Sequence, residues 1–380
     1  MRRLSGTIRK TRGPRWKWPF VIRILFVAMV FFGLGIWLSA GFWKAEGVLP
    51  PRRVRLGIEN VDDYRDVFQG RRIGLITNAT GVDSRMVPSA EILAAKMNLV
   101  ALFAPEHGLR GNAVAGAAIP HEKDNKTGLP IYSLHGDTRK PTTAMLKNID
   151  VLVFDIQDIG ARSYTDISTR AYAMQSARET GKTFVVLDRP NPVGGEKVEG
   201  GLLQPAFSSF IGLYPIPLRH GLTAGGLARL FNEEFGIGAK LVVIPMTGWK
   251  RHMQQEDTGL PWVMTSPNIP TPESARAYSG TALFGGSNVS EGIGTTRPFE
   301  LIGAPWLDGR KLAERMNAYQ LPGVFFRPTQ FTPQWGKYQG RICQGVQIHV
   351  TDRRQFSAAS VGVYLLQEIQ KQCIGREMFQ

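Results

Sequence analysis

Four apolar, β-branched runs in this chain each give way to side chains that can do chemistry. They lead into Thr77-Asn78, into Glu106-His107, into Asp155, Gln157 and Asp158, and into Asp188, Arg189 and Asn191. Carboxylates dominate that set. Glu106 follows Leu102-Phe103-Ala104-Pro105, so its side chain is expected to emerge where an apolar strand meets a cleft. Partial desolvation there would raise its pKa, and a raised carboxyl can serve as a general acid at neutral pH. The alternative is that Glu106 pairs with Arg110 and simply orders its loop. Glu291 lies in the stretch GGSNVSEGIGTTRP (residues 285–298), where flanking glycines leave backbone amides open to a closely approaching ligand. Two carboxyls across a cleft are the equipment for hydrolysing a glycosidic bond. Arg162, Arg189 and Arg219 each stand beside one of these clusters. A guanidinium fork reads carboxylates bidentately, so an anionic sugar is a natural ligand. Internal ion pairs with Asp158 or Asp188 are the competing use of those arginines.

Other chemistries lack their signatures. No G-x-G-x-x-G follows the first apolar run, and neither G-x-x-x-x-G-K-[ST] nor G-x-S-x-G occurs. The six histidines (His107, His121, His135, His220, His252, His349) show no H-E-x-x-H spacing, and two cysteines, Cys343 and Cys373, cannot build a four-thiolate site. No metal and no cofactor is therefore expected.

Positioning such clusters needs a rigid frame, and the pattern supplies one. Strand-like runs at 72–76, 99–103, 151–154 and 184–187 alternate with helical patterns at 89–97, 142–149 and 168–179. That alternation implies an α/β, Rossmann-like, mostly parallel sheet covered on both faces. Ligands of such sheets bind outside the carboxyl ends of the strands, so the four clusters should converge on one cleft. A helix at 223–235 and a run at 241–244 extend the same sheet. From about residue 250 the chain is richer in Pro, Gly and aromatics, with strand-like runs at 324–331 and 346–350 and a helix at 358–372. We read residues 56–249 as the Rossmann-like domain and 250–380 as a smaller auxiliary α+β domain. All four tryptophans beyond residue 44 (Trp249, Trp262, Trp306, Trp335) lie at or after that junction.

With 380 residues, 43% hydrophobic and 20% charged, the chain can bury a sizeable core. Disorder, collagen-like repeats and a coiled coil are excluded as descriptions of the whole. The net charge of +15 is lopsided, because the first 44 residues hold nine basic groups and no acid. The remainder carries 37 basic against 31 acidic residues, an ordinary surface with no stripe for nucleic acid. The basic segment 1–23 leads into residues 24–43, uncharged and apolar, long enough to span a bilayer as a helix. Positive charge stays in the cytoplasm, so residues 24–43 are expected to be a single-pass signal-anchor, 44–55 a linker, and the globular part to lie outside the cytoplasmic membrane. Secretion after signal cleavage is the alternative, although Leu38-Ser39-Ala40 is a poor cleavage site.

Taken together and in order, the motifs Asn78-Ala79-Thr80-Gly81-Val82-Asp83, Ala104-Pro105-Glu106-His107-Gly108, Asp155-Ile156-Gln157-Asp158-Ile159-Gly160-Ala161-Arg162 and Leu187-Asp188-Arg189-Pro190-Asn191-Pro192 resemble the NamZ-type exo-β-N-acetylmuramidases. So do Arg219-His220-Gly221-Leu222-Thr223, Ser266-Pro267-Asn268-Ile269-Pro270-Thr271 and Ser290-Glu291-Gly292, from about Gly57 to the C-terminus. The resemblance implies a Rossmann-like subdomain plus an auxiliary one with the active site between them. It implies release of N-acetylmuramic acid from the non-reducing end of peptidoglycan fragments. Carried over by position, Glu106 would be the leading catalytic acid and Glu291 the second carboxylate. Asn78, His107, Asp158, Arg162, Tyr164, Arg189, Arg219 and Asn268 would line the sugar site, the arginines holding the lactyl carboxylate. Gly226 and Gly285 stand where the family has Glu, Ile293 where it has Arg, and Asp166 where it has an aromatic. Those departures motivate the contrasting reading, a noncatalytic or altered-specificity wall-sugar binder of the same fold.

Overall fold

A computed structural model describes residues 54–375 and 377–379. The basic segment 1–23, the apolar segment 24–43 and nearly all of the linker lie outside the described residues. Among the described residues no helix is long and apolar enough to cross a membrane.

The strands of the larger sheet are β1 (Ile73–Thr77), β2 (Leu99–Ala104), β3 (Glu122–Lys123), β4 (Pro130–Ser133), β5 (Val151–Asp155), β6 (Thr183–Leu187) and β7 (Lys240–Ile244). Their spatial order is β3-β4-β2-β1-β5-β6-β7, parallel throughout except for the short edge strand β3. β1 and β5 are buried along their whole length, which is why they read as unbroken apolar runs and not as alternating ones. Helices α1 (Ser89–Lys96), α2 (Thr165–Glu179) and α3 (Ala224–Glu233) cover the faces. The sheet thus confirms the expected mostly parallel α/β frame. β3 and β4 escape a sequence reading for a physical reason: one is two exposed residues, and the other begins on Pro130 and is only four residues long.

From β1 the chain winds outward to β2 and β4, then returns to place β5 on the other side of β1. The order therefore reverses between β1 and β5, whose ends pair Thr77 with Asp155. Such a switch point opens a crevice at the carboxyl ends of the strands. Here it is tightly knitted, since the Thr77 hydroxyl donates to the Asp155 carbonyl (2.9 Å) and the Gln157 amide to the Thr80 hydroxyl (2.9 Å). Gly81 is needed in this turn, because a Cβ there would lie 2.0 Å from the Thr77 hydroxyl.

The second sheet is small and antiparallel, with β8 (Leu301–Ala304), β10 (Cys343–Val350) and β9 (Val324–Phe331) in that order. Helices α4 (Pro272–Thr281), α5 (Gly309–Ala318) and α6 (Ala358–Gln370) accompany it. Residues 54–375 and 377–379 belong to one compact unit, and the two sheets meet through a shared apolar cluster of Ile159, Ala161, Tyr164, Ile269, Ala275, Ala277 and Phe299. Helix α4 is the hinge of this arrangement. Thr271 caps it by accepting from the Ser274 amide, and Pro272 opens it where no amide donor is required.

Candidate active site

Glu106 leaves the end of β2 on a loop that folds back over itself. One carboxylate oxygen accepts from the Gly116 amide at 2.8 Å and the other from the Thr165 hydroxyl at 2.7 Å. Its side chain is 11% exposed, and the His135 Nε2 atom faces it at 3.9 Å. The pairing with Arg110 does not form, because Arg110 goes instead to Asp124 at 3.3 Å. The expected rise in pKa is also corrected. Burial does push the carboxyl up, but the Thr165 hydroxyl, the Gly116 amide and the charges of His107 and His135 together draw it below the ordinary Glu value. Glu106 is consequently an ionised, hydrogen-bonded carboxylate, and among the described residues no Lys or Arg is locked onto it.

Next to it, His107 adopts a left-handed backbone (φ 69°) and shares a 2.8 Å hydrogen bond with the Ala113 carbonyl through Nδ1. That backbone costs on the order of 1–3 kcal/mol in a residue with a Cβ, and it persists because Gly108 and the Ala113 amide close the loop around it. His135 itself follows β4, and burial lowers its pKa below the ordinary imidazole value. As the polar residue after a fifth apolar run it had the same signal as the other four clusters, obscured by the shortness of β4.

The second carboxylate arrives from the small-sheet side. Glu291 is buried and accepts from the Lys337 ammonium at 3.0 Å; the same ammonium donates to the Phe284, Gly285 and Val289 carbonyls. Between the two halves stands Tyr278 of α4, bonded to the Ser163 carbonyl. Burial raises the Tyr278 phenol, and the charges of Glu106, Asp158 and Glu291 raise it further. The three carboxylates whose charges act on that phenol come from separate parts of the chain.

The other expected ligands divide into two groups. Asn78 and Asp158 follow the ends of β1 and β5, Asn268 lies in the turn before α4, and all three are buried. The Asn78 side-chain oxygen closes its own turn by accepting from the Thr80 amide and hydroxyl. Asp158 faces His220 Nε2 at 3.0 Å, and Tyr164 packs edge-on against Tyr278 while its hydroxyl donates to the Thr265 carbonyl. The three arginines are corrected: their forks are turned to internal partners. Arg189 forms a buried bidentate pair with Asp155 (2.6 and 2.9 Å) and also holds the Val82 carbonyl. Arg219 pairs with Glu199 and the Val193 carbonyl, and Arg162 donates to the Gly201 and Ile216 carbonyls. Each is needed to tie a loop, because an unpaired buried guanidinium is costly.

Sequence reasoning passed over Thr165, Tyr278 and Lys337, which sit mid-element or mid-loop with no local signature. It also passed over a buried charge cluster behind the site. Arg170 is 1% exposed, is drawn down to about 10 by burial against the offsetting charges of Asp158, Asp188 and Asp166, and lies near the Phe154 and Phe231 rings. Burial, with the charges of Asp158 and Glu106 added, holds the Asp166 carboxyl well above the usual carboxylate range. Gly226 turns out to be the third residue of α3, where its amide donates to the Thr223 cap. A Glu there would complete a capping box, so the departure leaves the Thr223 cap in place and lacks only the reciprocal half. At Gly285 a Cβ would meet nothing within 4 Å, and Ile293 packs at the edge of the shared apolar cluster. Among the described residues no group of His, Cys, Asp and Glu could hold a metal ion.

Comparison with known proteins agrees with this geometry. Residues 73–273 match the N-terminal model of exo-beta-N-acetylmuramidase NamZ, and residues 276–377 match its C-terminal model. The peptidoglycan beta-N-acetylmuramidase NamZ of Bacillus subtilis (strain 168) is 53% identical over 320 residues, covering 83% of this chain and 77% of that protein. Two crystal structures of DUF1343 family proteins from Bacteroides fragilis NCTC 9343 share the fold. One has a TM-score of 0.81 at 43% identity over 87% of each chain, the other 0.69 at 30% identity over 86% of each. The chain belongs to the exo-β-N-acetylmuramidase NamZ family.

Proposed function

We propose that this protein is an exo-acting glycoside hydrolase that releases N-acetylmuramic acid from the non-reducing ends of peptidoglycan fragments. The observation that carries the reading is Glu106: an ionised carboxylate at the carboxyl edge of a parallel sheet, held by one hydroxyl and one amide and, among the described residues, paired with no Lys or Arg. Glycosidic cleavage passes through an oxocarbenium-like state in which positive charge develops at the anomeric carbon. A preorganised carboxylate stabilises that charge, as nucleophile or as the base that activates water. In the free protein Glu106 thus takes the ionised role, and the general-acid role expected from the sequence is withdrawn from it. Glu291 approaches from the other sheet, and we assign it as the second carboxyl of the pair.

The test is turnover of a chromogenic N-acetylmuramide beside its N-acetylglucosaminide analogue. Glu106→Gln should lose at least about 10²-fold in kcat/KM, the lower end expected for removing such a group, while melting as a folded protein. Unchanged turnover would sink the assignment. We also retain the proposal that residues 24–43 anchor the chain in the cytoplasmic membrane with the folded part outside. The supporting features are the acid-free basic flank and the location of the wall polymer.

A further inference from the structure

We infer that Arg139 reads the carboxylate of the substrate's lactyl group and so sets the preference for a muramyl over a glucosaminyl end. The inference rests on the function proposed above and adds to it the residue that recognises the anionic substituent.

Arg189 and Arg219 are engaged in buried ion pairs, and Arg162 is tied through Nη1 to the Gly201 and Ile216 carbonyls. Arg139 is placed differently. Its guanidinium lies over the Phe210 ring, 4.3 Å from the centroid, and no described carboxylate forms an ion pair with it. Stacking on an aromatic face keeps the N–H edge of a guanidinium free to grip a second, planar partner. Phe210 is only 9% exposed, is stacked on Tyr172 and sits 6.1 Å from the His135 ring, and His135 faces Glu106. A continuous path of three contacts therefore joins the free fork to the catalytic carboxylate. The charge of Arg139 is felt at His135, where it adds to the depression caused by burial.

The turn that presents Arg139 is built to hold it there. The Thr138 hydroxyl accepts from the Lys140 amide and donates to the Lys140 carbonyl, closing the turn around Arg139. Lys140 takes Glu179 of α2 at 2.7 Å, and the Pro141 carbonyl accepts from the Ser176 hydroxyl of the same helix. The neighbouring cation is thus consumed in fixing the turn while Arg139 is left unpaired beside the site. A lactyl ether stands on the ring carbon two bonds from the anomeric centre, to one side of the bond that breaks, and Arg139 stands to one side of Glu106, beyond the His135 and Phe210 rings. A bidentate guanidinium–carboxylate contact in such a setting also discriminates by charge, since N-acetylglucosamine offers no anion to it.

The experiment compares binding of N-acetylmuramic acid, its lactyl methyl ester and N-acetylglucosamine by calorimetry, using the wild type, Arg139→Met and Arg139→Lys. Muramide turnover is followed in parallel. The wild type should prefer the free acid to the ester and to N-acetylglucosamine. Arg139→Met should bind the acid about 10- to 100-fold more weakly, the span of one charge-assisted contact, with N-acetylglucosamine binding unmoved and the acid-over-ester preference abolished. Arg139→Lys, which keeps the charge and loses the fork, should fall between. The inference is overturned if Arg139→Met retains the acid-over-ester preference, or weakens all three ligands equally. A wild type that turns over no muramide would overturn the function itself, and one that turns it over without preferring the acid would overturn only the role of Arg139.

Discussion

At the residue scale, the behaviour of the site follows from two carboxyls that burial pushes the same way and their partners move apart. Glu106 is desolvated yet ends below its ordinary value because two donors and two histidines face its charged form. Asp166, one residue beyond the Thr165 that holds Glu106, faces no donor on one of its oxygens and is held well above its ordinary value. The acidic limb of kcat/KM that reports Glu106 should therefore fall below the free-Glu value of about 4.3, and a pH–rate profile checks it. Asp166 gives a stability prediction of opposite sign. The native state keeps a proton that the unfolded chain releases at about pH 3.9, so this group's contribution is full below that pH and is lost as pH rises toward its folded pKa. Asp166→Asn cannot ionise, so its melting temperature should match the wild type near pH 3.5 and exceed it increasingly toward neutrality. A melting difference that shrinks as pH rises would contradict the raised pKa of this buried carboxyl.

At the element scale, the strands and helices place the residues, and small side chains decide how closely they can do so. Helix α4 carries Tyr278 to the carboxylates and lies against α6, with Gly280 against the Ala358 carbonyl; a Cβ at 280 would sit 1.9 Å from that oxygen. Backbone cannot yield there as a side-chain tip could. Gly280→Ala should cost about 1–3 kcal/mol, the range for an overpacked core, and lower muramidase turnover by displacing α4. Helix α3 offers the reverse case. Gly226→Glu restores a capping box with Thr223 at a position where a Cβ meets the Thr223 hydroxyl at 3.3 Å and the Leu222 side chain at ordinary van der Waals distance. Chemical denaturation should show roughly 1 kcal/mol of added stability, from the better cap and the loss of a helical glycine, with kcat/KM unchanged.

At the scale of the whole molecule, the two sheets behave as one body because their junction is a packed core. Tyr164 from the large-sheet side, Ala275 and Ala277 of α4, and Phe299 beside β8 are all nearly or fully buried in one cluster. Phe299→Ala should remove about 3–5 kcal/mol, the usual cost of a deleted core phenylalanine. Calorimetry should then show a single transition moved to lower temperature; two separate transitions in the wild type would mean that the cluster does not couple the halves. The carboxylates need that coupling, since Glu106 and Glu291 come from opposite sides of it.

The local pattern of the chain was enough to determine the parallel sheet, the helices that alternate with its strands, and the polar residues at four strand ends. Those features depend on hydrophobic periodicity and on chain neighbours, and both are visible in one dimension. The motif order likewise carried the family. Only the tertiary structure decided how each polar group is used. Arg162, Arg189 and Arg219 have the same chemistry as Arg139, but whether a guanidinium faces a carbonyl, an aspartate or open solvent depends on residues tens to hundreds of positions away. The protonation of Glu106 was decided in the same manner, by a hydroxyl 59 residues distant and an amide on a returning loop. Burial alone has one sign for a carboxyl, and the donors that reverse it are brought close by the fold, not by the sequence around the residue.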